Sequence, residues 1–346
     1  MKILVYSDNH WCQYSSILRT QGQKYSLRLE NQIESINWAE ELAEFLGCTH
    51  IVHCGDFFDK ESLNSVEITA LNELHFTDKC HHFMLVGNHE MGVNSLQYSS
   101  MHLFGLLPKF EIISKPQIIV ENCALELAFL PYILEENRKP LSEIFPKSDR
   151  KRIIFSHNDI AGIQLGNFIT KAGFSIEEIE DNCNLFINGH LHNGGKISDH
   201  IYNVGNLTGQ NFSEDGFKYY HSAFVIDTDT LRIDVYDNPN AINFYKVDIT
   251  DDMTCDDVSK LIYKMQNAVV TVKCSHERYD AMKYLFDEPY ILETRFVLSH
   301  SDNAKVSEMK YEQDLSVDHI KEFNNYILET IGNSDIVREE LSEVLS

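Results

Sequence analysis

Side chains that can bind metal ions recur at five places in this chain, and each place follows a short apolar run. At Gly87-Asn88-His89-Glu90, Asn88 offers a neutral carbonyl oxygen, and His89 offers a metal-binding nitrogen or a proton. Each motif alone is a weak signal, but matching side chains at five strand ends predict one common site. The candidate ligands are two Asp, one Asn and four His: Asp8, His10, Asp56, Asn88, His157, His190 and His192.

Seven ligands are enough for two cations that share one carboxylate. Asp56 follows Gly55, which permits a tight turn, and its two carboxylate oxygens can bridge two metals. Mixed nitrogen and oxygen ligation suits Mn²⁺ first, with Fe²⁺, Zn²⁺ or Mg²⁺ as alternatives. Two such ions about 3.5–4 Å apart activate water and hold the oxygens of an in-line phosphoryl displacement. The residues therefore predict hydrolysis of phosphoesters with two divalent metal ions.

The elements that must position these residues alternate between strand and helix in the first part of the chain. Helices between consecutive strands imply parallel pairing, and ligands then collect at the carboxyl edge of the sheet. The first three motifs should therefore converge. The pattern predicts strands at 2–7, 50–54 and 82–86, and helices at 27–46 and 65–74.

From about residue 109 the chain reads as closely spaced short strands, which predict a second sheet built largely of antiparallel pairs. The fold class is α/β, a four-layer α/β/β/α sandwich with a small α+β cap domain and a C-terminal helical tail. Five strand ends should meet at one edge of this sandwich. The strands assigned to the second sheet are 110–113, 117–120, 125–130, 152–155, 185–188, 201–205, 223–226 and 231–235.

A composition shift near residues 237–240 divides the chain into a catalytic domain, 1–237, a cap, 238–300, and a linker with a helical tail, 301–346. We expect the tail to bind a partner, because short terminal amphipathic helices often do so. The alternative is that the tail folds back onto the cap. The apolar faces of its two helical patterns contain Ile320, Phe323, Ile327, Leu328 and Ile331, and Val337, Leu341, Val344 and Leu345.

The bulk composition, 43% hydrophobic and 24% charged, is that of a soluble globular protein. No apolar run is long enough to span a bilayer, and Asp8 comes too early for a signal peptide. Eight cysteines without a C-x-x-C pair predict reduced thiols and a cytoplasmic location. The formal net charge of −24 argues against general electrostatic affinity for nucleic acid. A nucleic-acid enzyme whose partner supplies the basic surface stays compatible with it.

The motif order D-x-H, G-D-x-x-D, G-N-H-E, H and G-H-x-H resembles that of the calcineurin-like metallophosphoesterases. Within them, the whole chain resembles the SbcD-type DNA repair nucleases, most strongly in 1–210, and looks most like those encoded by large tailed phages. The resemblance makes His89 the acid that protonates the leaving 3′ oxygen. It implies a first metal on Asp8, His10, Asp56 and His192, and a second on Asp56, Asn88, His157 and His190.

The resemblance further implies a Mn²⁺-dependent 3′→5′ exonuclease on double-stranded DNA that is also a single-strand endonuclease. Such a chain would be the nuclease subunit of a complex with an SMC-like coiled-coil ATPase, acting in DNA end processing, recombination and repair. We expect a homodimer, in the host cytoplasm if a phage encodes it. Arg19, Lys24 and Arg28, near the first motif, are the candidate DNA contacts, and the cap, 238–300, is the candidate DNA-binding domain.

Two positions depart from the family pattern. The family often has Gly-Ser/Thr-Pro after its last His pair, whereas residues 202–207 contain no proline. Some members have His where this chain has Asp59, which we predict to orient neighbours or to be structural, and not to be a ligand. We expect His53 to be buried or to lie beside the ligands.

Two alternatives belong to different functional classes. A protein phosphatase or cyclic-nucleotide phosphodiesterase could use the same fold, but Ser/Thr phosphatases carry Arg-Gly where this chain has Lys60-Glu61. A metal-free scaffold that only binds a partner would tend to lose ligands, and this chain keeps all seven. Dependence of turnover on Mn²⁺ separates the two classes.

Overall fold

The computed structural model describes residues 1–17, 22–165 and 168–299. The candidate DNA contact Arg19 and the predicted linker and tail, 301–346, lie outside the described residues. In the described part, none of the helices combines the length and the apolar character needed to cross a membrane. All eight cysteines are free thiols.

Strands and short helical segments alternate along the described chain. The strands are β1 (Lys2–Tyr6), β2 (His50–His53), β3 (His81–Leu85), β4 (Met91–Gly92), β5 (Ser95–Ser99), β6 (Phe110–Ile113), β7 (Gln117–Val120), β8 (Leu125–Leu130), β9 (Lys151–Ser156), β10 (Ile160–Ala161), β11 (Gln164–Leu165), β12 (Phe168–Ile169), β13 (Phe174–Ser175), β14 (Leu185–Asn188), β15 (Gly195–Lys196), β16 (Ile201–Asn203), β17 (Ser222–Asp227), β18 (Arg232–Asp237), β19 (Asn243–Asp248), β20 (Ala268–Ser275) and β21 (Ile291–Ser299). The α-helices are α1 (Leu27–Phe45), α2 (Ser65–Ala70), α3 (Leu141–Ile144), α4 (Ile176–Glu180), α5 (Cys255–Ile262) and α6 (His276–Met282). Single 3₁₀ segments cover Leu71–Glu73, Ser100–Leu106, Glu135–Asn137 and Lys283–Phe286.

The first sheet has the strand order β18-β17-β1-β2-β3-β6. Its strands β1, β2, β3 and β6 are parallel, and the strand–helix alternation predicts this for β1, β2 and β3. Strand β17 runs antiparallel to both of its neighbours, β1 and β18. Helix α1 starts after Ser26, whose hydroxyl accepts a hydrogen bond from Leu29 N at 3.2 Å, and Gly47 follows it with φ +68°. Ser26 and Gly47 thus mark the two ends of the helix that joins β1 to β2.

The second sheet has the order β15-β16-β14-β9-β8-β7. Its central pairs, β8–β9, β9–β14 and β14–β16, are parallel, and only the edge pairs are antiparallel. The prediction of a largely antiparallel second sheet is therefore wrong, and β6, β17 and β18 belong to the first sheet. Short apolar runs identify buried strands but carry no information on direction or partner, which the crossovers through α3 and α4 determine here.

The two sheets pack face to face, and helices cover their outer faces. Val5, Val52 and Leu127 belong to the apolar cluster between the sheets. A second cluster lies beneath α1, and a third lies beneath α3 and α4. The four-layer α/β/β/α arrangement is confirmed.

Strands β19, β20 and β21 form a separate parallel sheet that packs with α5 and α6 around its own apolar cluster. Val247, Val258 and Phe286 are buried in that cluster. The arrangement is the α+β cap that the sequence predicts, and we call residues 243–299 the cap. The domain boundaries at residues 237 and 300 stay a prediction.

Candidate metal centre

The carboxyl ends of five strands meet at one edge of the sandwich. Strands β1, β2 and β3 of the first sheet and β9 and β14 of the second are each followed by a predicted ligand within a few residues. All seven candidate ligands come together there, and they fall into two groups.

The backbone at this edge is unusual before any side chain is considered. Asp8, His10, Asp56 and His190 have positive φ angles of 52°, 48°, 54° and 71°. Non-glycine residues in this region cost about 1–3 kcal/mol each, and they cluster where the surrounding structure enforces a functional geometry. Nothing in the sequence pattern predicted this feature.

The first group contains Asp8, His10 and His192. His10 Nε2 lies 3.1 Å from His192 Nε2 and 4.0 Å from Asp8 Oδ1. The backbone N–H of His190 donates to both carboxylate oxygens of Asp8 at 3.1 Å, which fixes the orientation of that side chain. The three ligand atoms are close enough to hold one cation.

The second group contains Asp56, His157, His190 and Asn88. His157 Nε2 lies 3.1 Å from Asp56 Oδ2 and 3.2 Å from Asn88 Oδ1. His190 Nδ1 lies 3.1 Å from the same Asn88 oxygen. Because Asp56 Oδ2 is also 3.8 Å from His10 Nε2, this carboxylate lies between the two groups, where a bridging ligand would lie.

The remaining nitrogens of the two histidines in the second group already have partners, which fixes the orientation of these rings. His157 Nδ1 donates to Cys54 O at 2.6 Å, and His190 Nε2 lies 3.2 Å from a carboxylate oxygen of Asp159. Metal-binding histidines commonly carry such a partner on the nitrogen that does not bind metal. The opposite nitrogens, which face Asp56 and Asn88, are the ones free to accept a cation.

The electrostatics of the centre favour cations. Burial opposes ionisation of Asp56, but the facing His157 outweighs it and holds the pKa of this carboxyl well below its usual range. Burial also opposes charging of His157, but Asp56 and Asp8 outweigh it and raise its pKa to about 9. The pKa of His192 falls to about 4, chiefly through burial. Two buried carboxylates beside imidazole nitrogens that face each other form a donor set that fits two divalent ions.

His89 belongs to neither of these two groups. Its ring centroid lies 4.5 Å from that of His10, and with His10 and Asp59 it forms a further set of side chains close enough to hold a cation. Its backbone N–H donates to Asp56 Oδ1 at 3.0 Å, and its Nδ1 donates to the carbonyl oxygen of Asp59 at 3.0 Å. The ring is exposed, and its Nε2 has no hydrogen-bond partner among the described residues. The buried Glu90 accepts from Gly87 N at 2.7 Å, and burial raises its pKa to about 8. Glu90 thus supports the loop that carries Asn88 and His89.

Two glycines of the motifs are required by close approach. A Cβ atom on Gly87 would lie 2.1 Å from Asp56 Oδ1, and one on Gly55 would lie 2.4 Å from His157 Nδ1. Gly55 also has φ +94°, which side chains disfavour. These glycines let neighbouring strand ends approach closely enough for Asp56 to reach both groups.

Among the candidate DNA contacts, Lys24 and Arg28 are engaged with the protein itself. Lys24 forms an ion pair with Glu73, and Arg28 Nη2 donates to His10 O at 3.1 Å and lies 3.8 Å from Asp59. Their role in DNA binding stays a prediction.

His53 is buried, as expected, and does not belong to either ligand group. It lies 2.7 Å from Asn9 Oδ1, and burial lowers its pKa to about 3. It therefore holds, as a neutral imidazole, the side chain of Asn9 next to the first ligand.

Three supporting residues were missed at the sequence level. Asp159 orients His190, while Gln32 and Gln210 donate to backbone carbonyls of residues 8–10. Asp159 has a signal, because it follows His157 at a strand end that delivers a ligand. Polar residues within a helix or a loop, like the two glutamines, leave no periodic signal.

Comparison with known proteins places this geometry in a family. Residues 1–194, more than half of the chain, match the calcineurin-like phosphoesterases. A dimetal phosphatase from Danio rerio is a similar solved structure, with 13% identity, a TM-score of 0.37, and coverage of 65% of this chain and 91% of that one. Another is the calcineurin-like phosphoesterase YfkN from Bacillus subtilis, with 12% identity, a TM-score of 0.36, and coverage of 68% and 88%. No curated protein matches the chain. The chain belongs to the calcineurin-like phosphoesterase family, whose members hydrolyse phosphoesters with two divalent metal ions.

Proposed function

We propose that this chain is a DNA nuclease that hydrolyses phosphodiesters with two divalent ions, Mn²⁺ foremost. It acts as a 3′→5′ exonuclease on double-stranded DNA and as a single-strand endonuclease. The observation that carries the hydrolytic part is the convergence of seven ligands into two groups that share Asp56. The choice of DNA rests on the resemblance of the chain to the SbcD-type nucleases.

The chain's own residues have distinct tasks in this reaction. When bound, the two ions activate water and stabilise the charge on the phosphoryl oxygens. Asp56 sets the spacing of the two groups, and Asn88 adds a neutral oxygen between His157 and His190. His89, held through Nδ1 by the carbonyl oxygen of Asp59, donates the Nε2 proton of its imidazolium form to the leaving 3′ oxygen.

The test is release of nucleotides from linear duplex DNA by the His89→Asn variant in Mn²⁺. General acid catalysis contributes about 10²–10⁴-fold, so turnover should fall by that order while Mn²⁺ binding stays intact. His200→Asn is the matched control, because His200 is exposed in the turn between β15 and β16. Unchanged DNA hydrolysis by His89→Asn would remove His89 from this role.

The same assay separates the alternative functions. A phosphatase would prefer a phosphomonoester or phosphopeptide to DNA, and a cyclic-nucleotide phosphodiesterase would open a cyclic phosphodiester faster than it degrades DNA. A scaffold would bind no Mn²⁺ in calorimetry and would hydrolyse none of these substrates.

We also propose a partner, an SMC-like coiled-coil ATPase that clamps DNA and binds residues 301–346. Support comes from the two amphipathic patterns in that segment and from the acidity of the whole chain. Deleting residues 314–346 should abolish co-purification with the ATPase and leave Mn²⁺-dependent hydrolysis of short DNA unchanged. Co-purification that survives the deletion would place the ATPase contact elsewhere.

A homodimer is proposed through an exposed apolar face beside the catalytic edge. Val93 and Leu106 are 81% and 86% exposed there, and Ile68, Tyr98 and Leu103 line the same open groove. Apolar patches of this kind often mark interfaces. Leu106→Asp should convert a dimer to a monomer in light scattering, whereas Tyr263→Asp, at an 88% exposed position in the cap, should not. A chain that is monomeric before mutation would exclude the homodimer.

A further inference from the structure

The turn that carries two ligands of the first group is held from outside by side chains. Asp8 and His10 are both in the left-handed region, so the turn Asp8–His10 cannot rely on local preference for its shape. Its N–H groups at positions 8 and 10 donate to Gly55 O and Asp56 O at 3.1 and 3.0 Å. The carbonyl oxygens of the turn need other partners.

Side chains supply a donor to each of the three carbonyls. Gln32 Nε2 donates to Asn9 O at 2.6 Å and to His10 O at 2.8 Å, and Arg28 also donates to His10 O. Both residues come from α1. The carbonyl of Asp8 is held by Gln210 Nε2 at 2.6 Å. Of these three side chains, Gln210 alone lies outside α1, in the segment that leads towards the cap.

Gln210 is itself fixed within the loop Asn206–Gly216. Its backbone N–H donates to the buried carboxyl of Glu214 at 3.1 Å, and the same carboxyl accepts from Asn206 Nδ2 at 3.0 Å. The N–H of Asn206 donates to His192 O at 3.1 Å. The loop therefore contacts the backbone of two first-group ligands, Asp8 and His192, at the same time.

The other side of this loop lies against the start of the cap. Gly209 N donates to Ile242 O at 2.9 Å, and Gly216 N donates to Phe244 O at 2.6 Å. Lys246 Nζ donates to Ser213 O at 2.7 Å. A Cβ atom on Gly209 would lie 2.4 Å from Ile242 O, so the loop and this strand have no space between them.

We propose that Gln210 is a positioning residue that makes the cap strand Asn243–Asp248 part of the support for the first metal. A shift of that strand moves the loop Asn206–Gly216 and withdraws the donor from Asp8 O. Coupling between two sites is reciprocal, so a metal bound by Asp8, His10 and His192 also tightens the contact between loop and cap. The inference rests on the two-metal site of the proposed function but not on DNA as the substrate.

Metal binding tests the first direction of this coupling. Gln210→Met keeps the side-chain length and removes the donor, and Gln266→Met, at an exposed cap position, is the matched control. Calorimetry with Mn²⁺ alone should detect two sites in Gln210→Met, one of which binds Mn²⁺ about tenfold more weakly than in the unmodified chain. The reason is that partners that orient ligands affect metal affinity by about 10–100-fold. The control should bind Mn²⁺ like the unmodified chain. Two sites of unchanged affinity in Gln210→Met would overturn the proposal.

Hydrogen exchange tests the reverse direction and needs no variant. Mn²⁺ should slow exchange of the Gly209 and Gly216 amides in the unmodified full-length chain. Gly209 N donates to Ile242 O, directly before the cap, and Gly216 N donates to Phe244 O within it. In Gly209→Ala, whose Cβ separates loop and strand, this slowing should shrink. If both amides of the unmodified chain exchange at the same rate with and without Mn²⁺, the coupling is overturned. An unmodified chain that binds no Mn²⁺ would instead contradict the proposed function.

Discussion

Asp59 acts on two histidines through two different groups. Its carboxylate lies 3.4 Å from His10 Nδ1, which forms no hydrogen bond with the described residues, and its carbonyl accepts from His89 Nδ1. Burial acts to raise the pKa of Asp59, but His10 and Arg28 outweigh it and lower the pKa. A substitution of the Asp59 side chain therefore removes its contact with His10. The hydrogen bond to His89 remains, because it uses the backbone carbonyl of Asp59.

This division predicts the effect of Asp59→Asn. The ring of His10 loses its charged neighbour, so the first metal should bind about 10–100-fold more weakly. At saturating Mn²⁺ the turnover should recover, because His89 keeps its partner. Titration of phosphodiester hydrolysis with Mn²⁺ measures both quantities, with the exposed Asp149→Asn as the control. A variant with normal Mn²⁺ affinity and lowered turnover would instead place Asp59 in the proton-transfer step.

At this scale the sequence predicts the residues that belong to a motif and misses those that only support one. Asp8 and His10 could be found because they follow an apolar strand at fixed spacing. Gln32 and Gln210 could not, since hydrogen bonds to a backbone 22 to 202 residues away leave no local pattern. Asp59 contacts both His10 and His89 and is close enough to share a cation with them, so its assignment as a residue that orients its neighbours stays a prediction.

Among the secondary-structure elements, positions along the chain were easier to predict than partners. The strands Phe110–Ile113 and Ser222–Asp227 were found near their observed bounds but assigned to the wrong sheet. Alternating apolar residues indicate that one face of a strand is buried. Both sheets of a sandwich bury one face in the layer between them, so this pattern does not tell to which sheet a strand belongs. Pairing of β1 with β17 joins residues more than 200 positions apart, which no local signal specifies.

The buried ion pair of Arg152 with Glu126 links β9 to β8 far from the metal centre. Arg152 Nε lies 2.5 Å from Glu126 Oε1, and both side chains are buried. Loss of one partner leaves an uncompensated buried charge, so Glu126→Leu should lower the free energy of unfolding by about 3–5 kcal/mol. Urea unfolding of Glu126→Leu, Arg152→Met and the double variant measures this. The double variant should be more stable than the sum of both losses predicts; strict additivity would contradict the coupling.

The loop Asn206–Gly216 introduces a pH dependence through Glu214. Burial raises its pKa to about 7, and the neighbouring His221, with its pKa lowered to about 4 by burial, stays neutral above that pH. The folded chain then holds the Glu214 proton more tightly than the unfolded chain, whose carboxyl has its ordinary pKa near 4.5. The contribution of Glu214 to the free energy of unfolding is therefore complete below that ordinary pKa. It is lost as the pH rises towards 7, which lowers the free energy of unfolding by on the order of 3 kcal/mol.

Glu214→Gln should remove this loss. Urea unfolding between pH 4.5 and 7.5 should show a stability decrease smaller by on the order of 3 kcal/mol than that of the unmodified chain. The exposed Glu61→Gln serves as control and should follow the unmodified curve. Parallel curves for all three proteins would mean that Glu214 is ionised in the folded state at neutral pH.

For the whole molecule, charge determines how the chain can meet DNA. The net charge is −24, and acidic residues outnumber basic ones by ten to seven within 243–299, the cap that we assigned to DNA binding. The most basic run, residues 147–152, lies at the start of β9, away from the metal edge. There Arg152 is paired with Glu126, and Lys151 Nζ donates to Asp229 O at 2.6 Å. Two of the four cations in this run are therefore engaged with the protein itself.

Two bound divalent ions neutralise four of the 24 net negative charges of the chain, and they do so where the scissile phosphate must bind. We therefore expect that the isolated chain binds DNA chiefly through its metals. With the His89→Asn variant in Mn²⁺, fluorescence anisotropy on a short duplex should give a Kd no tighter than the 10⁻⁴–10⁻⁶ M range of non-specific binding. The slope of log K against log salt should correspond to about two phosphates, and EDTA should abolish binding. A nanomolar Kd that survives EDTA, with a slope of several phosphates, would contradict this expectation, because it would require a basic binding face.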